Sequence, residues 1–242
     1  MLHRIILDPS SHGCQSRFAR MKCPGCAARW QALPSTTMLR EPTPALADCI
    51  QLEMLEGAAR IWPSALPPEE AARLFDELRH TIDWQQESIL MFGRRVPVPR
   101  LVAWHGDPGT SYTYSGTLHR PMPWTPPLVR IRDRAAELCG ARFNAVLLNL
   151  YRDGRDGMGW HADDEPELGR DPVIASVSLG STRRFCLRHR KRRNVKLDVP
   201  LPHGSLLCMS GTTQHHWVHA LPKTRAAVGE RINLTFRLVA LT

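Results

Sequence analysis

From Phe143 onward the hydrophobic period of this chain is two. "FNAVLLNLY", "VIASVSLG", "RFCLRHR", "VKLDVP", "GSLLCM", "HHWVHAL" and "RINLTFRLVAL" are short runs, alternating or rich in β-branched residues, separated by Gly, Pro and charged turns. A strand sends successive side chains to opposite faces, so each run has one face for a core and one for something else. Many such strands in succession form an antiparallel sandwich or barrel. The period before them is helical. "ALPPEEAARLFDELRHTIDW" places Leu66, Ala71, Leu74, Phe75, Leu78 and Ile82 three to four apart, after two prolines and two acids that suit a helix start. "TPPLVRIRDRAAELCG" does the same with Leu128, Ile131, Ala135 and Leu138, and Gly140 stops it. The expected architecture is therefore mainly β (α+β), with N-terminal helices packed on one side.

A chain of 242 residues, 43% of them hydrophobic, can bury one good-sized core. Residues 1–45 lack any sustained period and mix Cys, Arg, Ser and Pro, so they are expected to be a disordered leader before one domain over 46–242. Cys23 and Cys26 in the leader have the spacing of half a zinc knuckle. No second pair completes it, and free thiols are the plainer reading. Seven scattered cysteines argue for a reducing compartment, the cytoplasm. No run approaches a membrane span. The net charge of +9 makes a polyanion the natural partner to consider, without defining a site for one. Nothing implies a protein partner, and a monomer is expected.

Within this basic chain, "WHADDEPE" gathers acids beside an imidazole. Read as a strand, His161 and Asp163 point the same way and offer two ligands to one metal ion. One H-x-D triplet is weak, and His105-Gly106-Asp107 is another, set in "WHGDPGT", where a turn is the simple explanation. A two-histidine, one-carboxylate site needs a further His on a later strand, and "HHWVHAL" offers His215, His216 and His219. His219 suits best because it lies at the end of its run. In "RINLTFR", Arg231, Asn233, Thr235 and Arg237 share one face of a strand whose other face is apolar. Two arginines there are costly unless anions meet them, and a dicarboxylate supplies two. Asn149 and Tyr151, also two apart, add an amide and a phenol.

N-L-Y, then W-H-A-D-D-E, then H-A-L-P, then R-I-N-L-T-F-R resembles the AlkB family of Fe(II)/2-oxoglutarate dioxygenases, over roughly residues 55 to 240 and in particular the branch acting on double-stranded DNA. The resemblance implies a double-stranded β-helix, or jelly roll. It assigns iron to His161, Asp163 and His219, and the distal carboxylate of 2-oxoglutarate to Arg231. Its iron-chelating end goes to Arg237, Asn149 and Tyr151, with Asn233 and Thr235 lining the pocket. The implied reaction is oxidative demethylation of 1-methyladenine and 3-methylcytosine in DNA, releasing succinate, CO2 and formaldehyde. Such chemistry requires the base to leave its stack.

A nucleotide-recognition segment is expected at about 88–118. In it "SYTYSG", with Tyr114 and Ser115, resembles the segment that supplies an aromatic plate under the flipped base. "LMFGRRVPVPR" resembles the segment whose hydrophobic finger, here Phe92 with Met91 beside it, fills the gap left in the duplex; an ordinary hairpin tip is the alternative. Asp164 and Glu165 would orient the cationic base from the rim. "RRFCLRHRKRRN" would clamp phosphates through Arg188, Arg190, Lys191, Arg192 and Arg193, with Arg94, Arg95 and Arg100 extending that surface, unless it is simply a solvated face. Two other functions fit the residues: demethylation of RNA or single strands, and a non-catalytic, basic nucleic-acid-binding jelly roll.

Overall fold

The structure, a computed structural model, describes residues 48–91, 93–110, 112–114, 117–119 and 121–240, with only the backbone of Met91, 112–114 and 117–119. All of them lie in one unit, Arg40–Thr242. The expected leader with Cys23 and Cys26, the finger Phe92 and Ser115 fall outside the described residues.

In chain order come β1 (Ile50–Leu52), β2 (Ala58–Trp62), α1 (Pro68–Thr81), the hairpin β3 (Ser88–Met91) and β4 (Arg94–Pro97), and β5 (Leu101–Gly106). A second hairpin, β6 (Tyr112–Tyr114) and β7 (Thr117–His119), precedes α2 (Pro126–Cys139). Then follow β8 (Ala145–Tyr151), β9 (Met158–His161), β10 (Ile174–Gly180), β11 (Arg183–His189), β12 (Lys196–Leu201) and β13 (Ser205–Ser210). The one-turn helix α3 (Thr213–His216), β14 (Trp217–Leu221) and β15 (Arg231–Arg237) complete the described elements.

Two antiparallel sheets result, in the orders β1-β2-β13-β10-β15-β8-β5 and β12-β11-β14-β9, a jelly roll. Both helices start at a proline-proline pair, and α2 ends where Gly140 takes φ 65°, a left-handed conformation that a glycine adopts without penalty. Leu78, Leu128 and Ile131 pack with Leu148, Leu234 and Phe236 to form a core between the helices and the seven-stranded sheet. A second apolar cluster, with Trp104, Ile174, Leu187, Leu207 and Trp217, draws residues from both sheets. Phe236 stacks on Trp124 at 6.4 Å, and its truncation to Ala would cost about 3–5 kcal/mol in lost burial and cavity formation.

The fold departs from the sequence reading in three places. Strands begin well before Gly140: β2 and β5 belong to the large sheet, and β5 is buried on both faces, so it has no alternation to read. His105 therefore lies near the end of a strand, its Nδ1 donating to the Pro123 carbonyl at 2.7 Å, and the expected turn begins after it at Asp107, whose carbonyl accepts from the Thr110 N–H and whose carboxylate accepts from Trp124 Nε1. The run "HHWVHAL" is divided, with His215 and His216 in α3 and the strand starting at Trp217. Finally, β9 ends at His161, so Asp163 is placed by a loop and not by strand periodicity.

Candidate metal and co-substrate site

β15 lies between β10 and β8 in the large sheet. Its odd-numbered residues Arg231, Asn233, Thr235 and Arg237 face away from the helices, and the whole strand is buried. Across the ladder, Tyr151 pairs with Arg231 and Asn149 with Asn233, so the two strands present one polar face. That face lines a narrow pocket whose other wall holds His161, Asp163 and His219.

Register brings the two imidazoles together. His219 of β14 is directly opposite His161 of β9, with ring centroids 4.2 Å apart. Asp163 joins them because its backbone N–H donates to Gln214 Oε1 at 3.0 Å and its Oδ1 accepts from Arg237 Nη2 at 2.5 Å. One ligand atom from each of the three lies within 4.8 Å of the others. The Nδ1 of His161 is 2.9 Å from the Gly159 carbonyl, which can only accept. Nδ1 therefore carries the hydrogen, and the Nε2 lone pair is left for a metal.

Burial drives the charges of this group. It pushes the Asp163 carboxyl up, but the charge and hydrogen bond of Arg237, with the neighbouring imidazoles of His219 and His161, outweigh it and hold the group well below the usual carboxylate range. Burial, reinforced by the neighbouring His161, pulls His219 down to about 3, against the opposing pull of Asp163. An ionised carboxylate and a neutral imidazole are the forms that ligate a divalent ion.

Arg231 is the other anomaly. Its Nη2 donates to Ser178 Oγ at 2.9 Å and its guanidinium lies 5.3 Å from the Tyr151 ring, yet its buried Nε has no hydrogen-bond partner. No carboxylate of the described residues offsets its charge, and burial pulls its pKa down to about 10. A buried cation without a counter-ion costs several kcal/mol. It fits an anion entering the same pocket. Thus the donor set matches a ferrous ion and Arg231 matches the far carboxylate of a dicarboxylate co-substrate.

Several neighbours of the site were not singled out in the sequence. Ser178 supports Arg231, and Ser176 accepts from Asn233 Nδ2 at 2.8 Å. Two serines two apart in "VIASVSLG" were the available signal. Gln214 carried none. Arg100, expected among the phosphate contacts, is instead buried and donates from Nε to Asn149 Oδ1 at 2.8 Å, fixing that amide.

The basic run also separates into two parts. Arg183 is buried and donates to the carbonyls of Asp153, Asp156 and Pro222, so it clamps loops together. Arg188, Arg190, Lys191, Arg192 and Arg193 are exposed. Arg190 pairs with Asp164 at 2.6 Å, and Arg188 lies over the Trp160 ring at 4.3 Å. Asp164 is thus already matched by a cation, whereas Glu165 has a buried Oε2 without a hydrogen-bond partner. Tyr114 is placed only as a residue of β6. Geometry also reveals a second group, Glu56, His189 and His216, whose ligand-type atoms lie equally close.

The chain matches the model of the 2OG-Fe(II) oxygenase superfamily over residues 58–237 and belongs to that superfamily, within its AlkB family. It is 43% identical to the DNA oxidative demethylase ALKBH2 of Homo sapiens over 183 residues, covering 72% of this chain and 70% of that protein. It is 36% identical over 221 residues to the human alpha-ketoglutarate-dependent dioxygenase alkB homolog 3, covering 85% and 77% of the two chains. The solved structure of OsALKBH1 superposes with a TM-score of 0.56 at 15% identity, over 78% of this chain and 99% of that one, a likeness of fold. The protein is accordingly a dioxygenase, and Fe(II) and 2-oxoglutarate are what its superfamily uses. No helix among the described residues is long and apolar enough to cross a membrane.

Proposed function

We propose that this chain demethylates N-alkylated bases in DNA, 1-methyladenine and 3-methylcytosine, using Fe(II), O2 and 2-oxoglutarate and releasing succinate, CO2 and formaldehyde. The observation that carries the co-substrate is Arg231, a buried guanidinium with no carboxylate partner among the described residues, facing the pocket that holds the two-histidine, one-aspartate group. The nucleic-acid substrate rests on the likeness to proteins named DNA oxidative demethylases.

His161, Asp163 and His219 would hold the iron. When bound, iron, O2 and the keto acid supply the oxidation of the N-methyl carbon. The rest falls to side chains. Arg231 receives the distal carboxylate, with Ser178 holding its other end. Arg237 keeps Asp163 ionised and in place, and with Asn149 and Tyr151 borders the chelating end; Asn233 and Thr235 shape the pocket between. Burial of these groups keeps water from the reacting carbon. At the rim Glu165, and Asp164 when Arg190 releases it, would meet the positive charge of the alkylated base. Tyr114 and Ser115 would support its other side.

A duplex is the preferred substrate in this reading. The β3–β4 hairpin presents Leu90, 73% exposed, opposite Arg95 and near Arg94, an apolar side chain beside two cations. Phe92 with Met91 would wedge there, and Arg188, Arg190, Lys191, Arg192 and Arg193 would hold phosphates. Scattered cysteines suit the cytoplasm, and a monomer suffices for the site. Formaldehyde and succinate release from 1-methyladenine in duplex and single-stranded oligonucleotides tests the proposal. Equimolar products from methylated strands and none from unmethylated ones are expected; absence of formaldehyde with iron and 2-oxoglutarate supplied would overturn it.

A further inference from the structure

On the outer face of the four-stranded sheet only Arg188 has been given a task, contact with duplex phosphates. This face carries a groove of about 530 Å³, separate from the site pocket but sharing Met158 and Leu221 with it as a common wall. Arg184, Arg188, Lys196 and Lys223 line the groove against one carboxylate, Asp198. In its lining Trp160 is 44% exposed, an unusual state for so large an apolar ring, with the Arg188 guanidinium lying over it at 4.3 Å. Through Arg188 and Lys196 the groove continues into a second depression edged by Arg190 and Arg193, with no acid in its lining.

Flat π surfaces beside a row of cations suit unpaired nucleotides. Bases stack on aromatic rings and on guanidinium planes alike, while phosphates follow the positive charge. Paired bases stay stacked inside a duplex, so the plate suits a stretch of strand that is unpaired beside the lesion. Alternation within β11 supplies the row, because Arg184 and Arg188 lie four residues apart on the outward face, roughly 13 Å along the strand. His189, one residue on, points inward and accepts the N–H groups of Lys191 and Arg192 at 3.2 and 3.1 Å, which shapes the turn that presents Arg190 and Arg193.

We propose that this face binds an unpaired strand of nucleic acid continuous with the nucleotide in the site, with a base on the Trp160–Arg188 plate and phosphates along Arg184, Lys196 and Lys223. The proposal rests on the demethylase reading for its biological sense and makes the strand next to the lesion a determinant of substrate choice. The shared wall at Met158 and Leu221 is what sets the groove within reach of a nucleotide flanking the one in the pocket.

The test uses the full chain with iron and 2-oxoglutarate. Formaldehyde release is measured on 1-methyladenine in a trinucleotide and in a single strand of about 12 nucleotides, a length within the usual footprint of such surfaces. The triple variant Arg184→Gln, Lys196→Gln, Lys223→Gln should raise KM for the long strand roughly tenfold at low salt. Its salt slope should fall by about 2, at about 0.7 per single-strand phosphate contact. Trinucleotide kinetics should not change. Trp160→Ala should weaken binding of unmodified oligothymidylate, followed by anisotropy, and Trp160→Phe should restore part of it. Equal long-strand KM and salt slope in wild type and triple variant would overturn the proposal, as would oligothymidylate displaced no better by a second strand than by an acidic peptide. If no methylated substrate is turned over, the demethylase reading fails, and anisotropy with the unmodified strand still decides this one.

Discussion

Among the described residues two groups of two histidines and one carboxylate occur, each with its ligand-type atoms within 4.8 Å. In His161, Asp163 and His219 the remote nitrogen of His161 faces a carbonyl, so the near one is left as a lone pair. In Glu56, His189 and His216 the relation is reversed. His189 Nδ1 receives two backbone N–H groups, so the hydrogen resides on Nε2 and is donated to Glu56 at 2.9 Å. A metal at that nitrogen would have to displace the hydrogen while Nδ1 stayed an acceptor, which a neutral imidazole does not allow. Glu56 also sits at φ 54°, a conformation that costs about 1 kcal/mol or more for a non-glycine residue and that the bond to His189 helps to hold. Proximity of donors is therefore not enough. What the far side of each ring is bonded to separates a ligand from a strut.

The largest effect that would break this contrast comes from the first group. His219→Ala or Asp163→Ala should abolish stoichiometric iron and formaldehyde release, measured by metal analysis and product assay. Asp163→Ala also leaves Arg237 buried beside a lost partner, so about 3–5 kcal/mol of stability should go with it in denaturant titration. Retained iron in either variant would remove the distinction. Next, Arg231→Met should raise the KM for 2-oxoglutarate roughly 100-fold, the scale of a lost buried charge pair, while iron binding to the protein alone is preserved.

A smaller effect is expected of Gln214→Ala. With the Asp163 loop unpinned, iron affinity should fall by about tenfold, at the low end for groups that orient a ligand. His189→Ala should leave iron stoichiometry intact and lower the melting temperature by roughly 2–8 °C, as for the loss of about 1–2 kcal/mol in a chain of this size. The smallest is a pH dependence. The bond to His189 holds the Glu56 carboxyl below its ordinary value of 4.5, so this pair stabilises the fold fully above that pH and less as pH falls below it. The difference in melting temperature between wild type and Glu56→Gln should shrink on acidification through this range, and a difference that grows instead would show that the pair is not the source.

Much of the site was legible because its residues lie on strands. Alternation alone put Arg231, Asn233, Thr235 and Arg237 on one face and Asn149 with Tyr151 on another, and the ladder then set these faces side by side. Asp163 was singled out for a reason the structure does not bear out, since the strand ends at His161 and a loop held by Gln214 and Arg237 completes the approach. Arg100 was assigned to the surface because nothing local distinguishes it from Arg94 and Arg95. Its burial comes from Asn149, 49 residues away. β5 was missed for the opposite reason, since a strand covered on both sides shows no period.

By itself, then, the order of residues determined the strands after Gly140, the two helices and which side chains each strand turns inward, because period and turn chemistry act over a few neighbours. Only the tertiary structure decided which histidine keeps its lone pair, which arginine finds a counter-ion and which lies in water. Those outcomes depend on hydrogen-bond partners and burial supplied by segments far apart in the chain, such as Gln214 for Asp163 and Glu56 for His189.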